Sequence, residues 1–128
     1  MKLDASGLHH FALTVTELER SKRFYTESLG FTSVLDVPGL SLISGYGLLI
    51  GLHANGTVGS NDRFDPHRVG LDHLALPASE ADLESLKQQL DAAGVANNGV
   101  EDDELTKARY ICFYDPDGIP WELYSMPA

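Results

Sequence analysis

Cysteine and long apolar runs are both scarce in this 128-residue chain. Cys112 is its only cysteine, so no internal disulfide can form, and we expect a protein of a reducing compartment such as the cytoplasm. No apolar run approaches the roughly 20 residues of a membrane span. The opening residues, MKLDASGL, show no basic segment followed by an apolar stretch, so neither a membrane anchor nor a signal peptide is expected.

Basic residues are also few. Nine Lys and Arg stand against 19 Asp and Glu, which gives a net charge of −10 at pH 7. A surface of this sign repels phosphate backbones, so we expect no binding to nucleic acid. The composition, 43% hydrophobic and 22% charged, is ordinary for a globular protein with a real core, and a small molecule is left as the expected partner.

One stretch of sequence occurs twice. Residues 7–17 read GLHHFALTVTE and residues 70–80 read GLDHLALPASE, so that Gly, Leu, His, Ala, Leu and Glu recur 63 positions apart. After each copy the chain repeats the same predicted order of strand, helix and three strands. The repeat therefore indicates two similar modules.

The apolar patterns and turn signals place the elements of both modules. In the first, Thr16 and Glu19 predict a capping box and Gly30 a helix end. In the second, Ser79 with Asp82 predicts the start of the helix. The predicted strands cover 8–15, 31–36, 40–44 and 47–53, then 69–76, 95–100, 108–114 and 120–125. We predict an α+β fold of two βαβββ modules, about 7–54 and 69–126, joined by a polar linker at about 55–68 within a single domain, 1–128.

Strand alternation places two histidines equivalently. Side chains of a strand point to alternate faces, so His10 and His73 would each share the less bulky face with an alanine two residues later. A lone strand histidine is usually structural, but two at matching positions suggest a shared role. Glu122, in the last strand, is costly to bury unless it is paired or bound to metal, although it could also lie on a solvated face. His10, His73 and Glu122 together would suit Fe(II), Mn(II), Ni(II) or Zn(II).

The stretches LHHFALTVTELERSKRFYTESLGF, LDHLALPAS and YDPDGIPWELYS resemble the vicinal oxygen chelate superfamily, which includes glyoxalase I, extradiol dioxygenases, fosfomycin-resistance thiol transferases and bleomycin-resistance proteins. The resemblance covers nearly the whole chain. It implies paired βαβββ modules whose sheets curl around a shared cavity. It also implies that His10, His73 and Glu122 are ligands of a divalent metal ion. A homodimer is a further expectation, because family members often dimerise.

One position departs from the glyoxalase I pattern. That enzyme has a second metal-binding carboxylate late in the first module, and the matching residue here is Gly51. His53 would share the face of Gly51, and it could replace the carboxylate as a fourth ligand or act as a base near neutral pH. Alternatively, His53 merely caps the end of its strand. The gap argues against lactoylglutathione lyase activity.

Two further residues belong to the predicted cavity side. Tyr110 could orient a substrate oxygen or stack on a substrate ring, or it could simply fill the fold. Cys112 is expected to be a small buried hydrophobe rather than a nucleophile, since no basic neighbour would lower its pKa.

The resulting functional prediction is a metal-dependent enzyme whose substrate chelates the ion through neighbouring oxygens. A lyase or isomerase, a thiol transferase and a dioxygenase all remain open. The alternative is a protein of the bleomycin-resistance type that binds and sequesters a small molecule such as an antibiotic without turnover.

Overall fold

The computed structural model describes residues 2–54, 56 and 58–127. The elements are β1 (Phe11–Thr14), α1 (Leu18–Arg23) with a π-helical continuation (Phe24–Ser28), β2 (Thr32–Val37), β3 (Leu40–Gly45), β4 (Leu48–His53), β5 (Leu74–Pro77), α2 (Glu80–Ala92), β6 (Asn97–Asp102), β7 (Arg109–Tyr114) and β8 (Pro120–Ser125). The chain divides into two compact units, Met1–Asn61 and Asp62–Ala128. Each unit carries one βαβββ module, so the predicted α+β fold class is confirmed.

Both units have the same sheet topology. The strand order is β1-β4-β3-β2 in the first unit and β5-β8-β7-β6 in the second. In each sheet the first strand pairs in parallel with the last, while the other neighbours are antiparallel. The two copies of the sequence repeat therefore open two units with the same topology.

Each sheet buries one face within its own unit. The alternate residues of the strands supply the buried side chains, which are Leu13, Ile43, Ile50 and Leu52 in the first unit and Ile111, Phe113 and Trp121 in the second. Leu83, Leu86 and Leu90 of α2 form the predicted helical stripe and are buried as well. Burial of such side chains contributes about 1.5–3 kcal/mol each and is the main force that holds the two layers together.

The strands opening the two modules are shorter than predicted. β1 begins at Phe11 rather than at residue 8, and β5 begins at Leu74 rather than at residue 69. His10 and His73 therefore lie one residue before their strands. The other predicted strands agree with the observed ones to within two residues.

The two predicted helix starts have different outcomes. The prediction of a capping box at Thr16 was wrong. Helix α1 begins at Leu18, its N-cap residue is Glu17, and no side chain caps it. The Thr16 hydroxyl instead accepts a hydrogen bond of 2.8 Å from Arg20 Nη2. In the second module Ser79 and Asp82 form the full reciprocal capping box.

The end of the linker is attached to the second unit. The Phe64 amide donates to the Asp117 carbonyl over 2.9 Å, and Arg63 Nη1 donates to the Pro116 carbonyl over 2.7 Å. Within the described part of the chain, no helix is long and apolar enough to cross a membrane.

Candidate functional site

The second unit brings two of the predicted ligands together. Ala75 of β5 pairs with Glu122 of β8, and His73 lies two residues before Ala75. His73 Nε2 is 3.5 Å from Glu122 Oε1. The parallel pairing of the first and last strands is what places these two side chains side by side, although 49 positions separate them in the sequence.

The other nitrogen of His73 has a carboxylate partner. His73 Nδ1 lies 2.6 Å from Asp72 Oδ1. Because a carboxylate oxygen can only accept, the Nδ1–H group donates this hydrogen bond. In the neutral ring, Nε2 then keeps its lone pair on the side of Glu122. Asp72 is not among the site residues predicted from the sequence.

The Glu122 side chain is largely buried, with 17% exposure, and its environment disfavours the ionised form. Burial raises the pKa of Glu122, while the nearby His73 acts against that rise. Its cross-strand neighbours are small: Ala75 on β5 and Cys112 on β7. Burial also raises the pKa of the Cys112 thiol, in agreement with the expectation that Cys112 is not a nucleophile.

The first unit repeats this geometry with other residues. Ala12 pairs with Gly51, the counterpart of the pairing between Ala75 and Glu122. His10 precedes Ala12 by two residues, as His73 precedes Ala75. Here too the preceding residue contacts the ring, because His9 Nδ1 lies 2.7 Å from His10 Nδ1. His9, like Asp72, is not among the residues predicted from the sequence.

The ring of His53 covers Gly51. A Cβ atom built on Gly51 would lie 3.1 Å from His53 Nε2 and 3.5 Å from Ala12 Cβ. His53 ends β4, and its backbone carbonyl accepts a hydrogen bond of 2.8 Å from the Val15 amide. The prediction that His53 and Gly51 share a face is confirmed.

Tyr110 and Tyr124 line the same face of the second sheet as Glu122, as the register of β7 and β8 requires. Their rings are stacked with centroids 5.6 Å apart. The Tyr110 hydroxyl donates to Glu101 over 3.0 Å, and this bond raises the pKa of Tyr110 to about 12. The phenol therefore stays protonated at neutral pH and can position a group but cannot serve as a base.

The donors of the second unit fit a divalent ion. Ligand bonds to such ions are about 2.0–2.2 Å long, so two ligands of one ion lie about 3.0–3.5 Å apart, which matches the His73–Glu122 separation of 3.5 Å. The bond from Nδ1 to a carboxylate is the usual outer-shell partner of a metal-binding histidine. Across the described residues, no three His, Cys, Asp or Glu side chains form a group that could hold an ion. The structure thus supplies a pair of donors rather than a complete ligand set.

Comparison with known proteins shows the family to which this chain belongs. The sequence model of the Glyoxalase/Bleomycin resistance protein/Dioxygenase superfamily matches residues 7–123. The uncharacterized protein YwkD of Bacillus subtilis is 31% identical over 93% of this chain and 96% of its own length. The uncharacterized protein YaeR of Escherichia coli is 33% identical over 96% and 98%. A crystal structure of a glyoxylase/bleomycin resistance protein/dioxygenase domain from Frankia sp. EAN1pec is 32% identical, with a TM-score of 0.85 over 97% of this chain and 94% of that one.

Proposed function

Since the chain belongs to the Glyoxalase/Bleomycin resistance protein/Dioxygenase superfamily, we propose that it is an enzyme that requires a divalent metal ion. His73 and Glu122 hold the ion from the second unit. His10, in the first unit, remains the third ligand predicted from the sequence. The substrate is a small molecule with two neighbouring oxygen atoms.

The observation that carries this proposal is the arrangement around His73. Its Nδ1 is committed to Asp72, and its Nε2 faces the Glu122 carboxylate at 3.5 Å. That distance is longer than an ordinary hydrogen bond. A lone pair and a carboxylate that face each other in this way repel unless a proton or a cation satisfies both.

The bound ion would act as a Lewis acid that stabilises negative charge on a substrate oxygen. The protein residues have separate tasks. Asp72 holds the His73 ring in one tautomer and one orientation. Tyr110, held by Glu101, offers a rigid aromatic surface beside the site and a hydroxyl that stays protonated.

The charge of the ligand set favours one class of substrate. Neutral imidazole adds no charge, so a set with Glu122 as its one carboxylate leaves a divalent ion with a net charge of +1. An anionic or readily ionised pair of oxygens would neutralise that charge, as in a hydroxy ketone, a catechol or a phosphonate. The missing carboxylate at Gly51 separates this site from that of glyoxalase I, so we propose no lactoylglutathione lyase activity.

Turnover by untagged protein tests the proposal. The substrates are the hemithioacetal of methylglyoxal and glutathione, fosfomycin with a thiol, and catechol with dioxygen. We expect turnover of one of the last two after loading with Fe2+, Mn2+, Ni2+ or Zn2+, abolished by EDTA and by Glu122→Gln. His67→Ala, which removes an exposed imidazole from the linker, is the matched control and should retain activity.

The opposite result has a clear meaning. If no substrate turns over with any of the metals, while the EDTA-treated protein binds an antibiotic such as bleomycin, the chain is a sequestration protein and the enzymatic proposal is wrong. Size measurement in solution separately tests the expected homodimer.

A further inference from the structure

The face of the second sheet that carries Glu122 also carries a row of three paired side chains. Glu101 of β6 pairs with Tyr110 of β7, and Tyr110 pairs with Tyr124 of β8. The pair formed by Cys112 and Glu122 lies two residues further along β7 and β8. Residues two apart on a strand share a face and lie about 6.5–7 Å from each other. The row of Glu101, Tyr110 and Tyr124 is therefore the immediate neighbour of Glu122 on this face.

The hydroxyl groups of both tyrosines already have partners. The Tyr110 hydroxyl donates to Glu101 over 3.0 Å. The Tyr124 hydroxyl donates to Asp103 and lies 2.6 Å from the Thr106 hydroxyl. The two rings are stacked, with centroids 5.6 Å apart. What this row offers to a ligand is therefore its aromatic carbon surface rather than a free hydroxyl group.

The side chains beside Glu122 are small and leave room next to the rings. Ala75 on β5 and Cys112 on β7 are the cross-strand neighbours of Glu122. A flat ring whose two oxygens lie at Glu122 would pass over Cys112 and meet the side of Tyr110. Aromatic rings attract one another at centroid distances of about 4.5–7 Å. The spacing of the two rows thus suits an aromatic ligand.

The charged groups at the far side of the rings are acidic. Glu101 and Asp103 accept their hydrogen bonds from phenol and backbone N–H groups, which are neutral, within the described part of the chain. Arg109, the residue before Tyr110 on β7, lies 3.2 Å from Asp102 and has its own ion pair. The carboxylates beside the rings therefore keep their negative charge, which attracts a cation and repels an anion.

We propose that the row of Glu101, Tyr110 and Tyr124 is a subsite for an aromatic ring that carries a positively charged group. The inference rests on the proposed function, because it describes the substrate that the ion at His73 and Glu122 would bind: an aryl amine with two neighbouring oxygens. The ring contacts Tyr110, and the ammonium group lies beside Glu101. A phosphonate has no ring and would bring negative charge to an acidic face.

Three probes of similar shape separate the contribution of the ring from that of the charge. Tyramine, 4-ethylphenol and 4-hydroxyphenylacetate share a phenol ring and carry a short side chain that is positive, neutral or negative. NMR titration in EDTA measures their binding without the proposed metal ion. We expect tyramine to bind at least about 5-fold more tightly than 4-hydroxyphenylacetate at low salt, with 4-ethylphenol between them. The difference should shrink in about 1 M NaCl.

Matched variants test each part of the subsite. Tyr110→Leu removes the ring and should weaken tyramine binding about 2–10-fold, whereas Tyr110→Phe keeps the ring and should bind within about 2-fold of the wild type. Cys112→Leu fills the space over β7 and should weaken the binding of all three probes, whereas Cys112→Ala should not. Glu101→Gln should reduce the preference for tyramine. Glu84→Gln removes the same charge from an exposed position of α2 and should leave that preference intact.

Equal binding of tyramine and 4-hydroxyphenylacetate would overturn the inference, and so would unchanged binding by Tyr110→Leu or a failure of all three probes to bind. Thermal unfolding checks that each variant is folded, and Cys112→Leu tests the same subsite if Tyr110→Leu is not. Zn2+ titration of the same protein keeps the two proposals apart. Zn2+ binding without tyramine binding would leave the proposed function and remove the subsite. Tyramine binding without Zn2+ binding would leave a site for aryl amines and remove the proposed function.

Discussion

Replacing Glu122 by glutamine should have opposite effects on the metal-free and the metal-loaded protein. Burial raises the pKa of Glu122 above the usual 4.5. A carboxyl group whose pKa is higher in the folded state is destabilising when ionised. Its unfavourable contribution is absent below pH 4.5 and is fully present once the pH exceeds the folded pKa. Glutamine stays neutral at every pH and avoids that cost.

The size of the effect follows from the surroundings of the side chain. Glu122 is 17% exposed, and His73 Nε2 at 3.5 Å opposes the effect of burial. A partly screened charge of this kind is worth up to about 1 kcal/mol. The metal-free Glu122→Gln variant should therefore melt about 2–6 °C above the wild type at pH 7, and the difference should disappear towards pH 4.

Added metal should make the wild type more stable than the Glu122→Gln variant. An ion present at 100 times its dissociation constant stabilises the folded state by about 2.7 kcal/mol, and only the wild type has the carboxylate that binds it. The assay is thermal unfolding of both proteins in EDTA and in excess Zn2+, at pH 4 and pH 7. A variant that is less stable than the wild type in EDTA at pH 7 would refute the idea that the ionised Glu122 side chain destabilises the metal-free fold.

Three further predictions concern the fold. A hydrogen bond from Lys22 lowers the pKa of Asp36 to about 2. The stability from this carboxylate is therefore present above pH 3.8 and lost as the pH falls towards 2. In Asp36→Asn the free energy of unfolding, measured in urea, should therefore change less between pH 3.8 and pH 2 than it does in the wild type. Ser79→Ala removes a capping box and should cost about 1 kcal/mol in urea unfolding; no loss would mean that the cap is dispensable. Trp121→Ala empties a fully buried site and should cost about 3–5 kcal/mol, whereas a loss below 1 kcal/mol would contradict its place in the core.

The sequence predicted the order of elements because the relevant signals are local. Strand alternation and helical spacing indicate which side chains are buried, and Gly30, the predicted helix end, adopts a positive φ angle that favours glycine. The predicted starts of the first strand of each module were wrong because a strand also needs a partner. The β1 ladder begins where Phe11 meets Ile50, and the residues before it have strand-like composition without a paired neighbour.

The sequence indicated candidate residues for the site but not the contacts that these residues make. Alternation of faces holds inside a strand, as Trp121, which is fully buried, and the adjacent Glu122, which is not, illustrate. His9 and Asp72 lie before their strands, where period-two alternation no longer applies, so each can contact the histidine that follows it. No sequence pattern shows that the His53 ring lies over Gly51, because that depends on the conformation of the side chain.

His73 and Glu122 are the residues through which we propose that this chain binds a divalent ion. Calorimetric titration of untagged, EDTA-treated protein with Zn2+ measures this directly. We expect one ion per chain for the wild type and for His67→Ala, and a loss of affinity of at least about 100-fold for His73→Ala and Glu122→Gln. Binding that is absent from the wild type, or that survives unchanged in both site variants, would contradict the account.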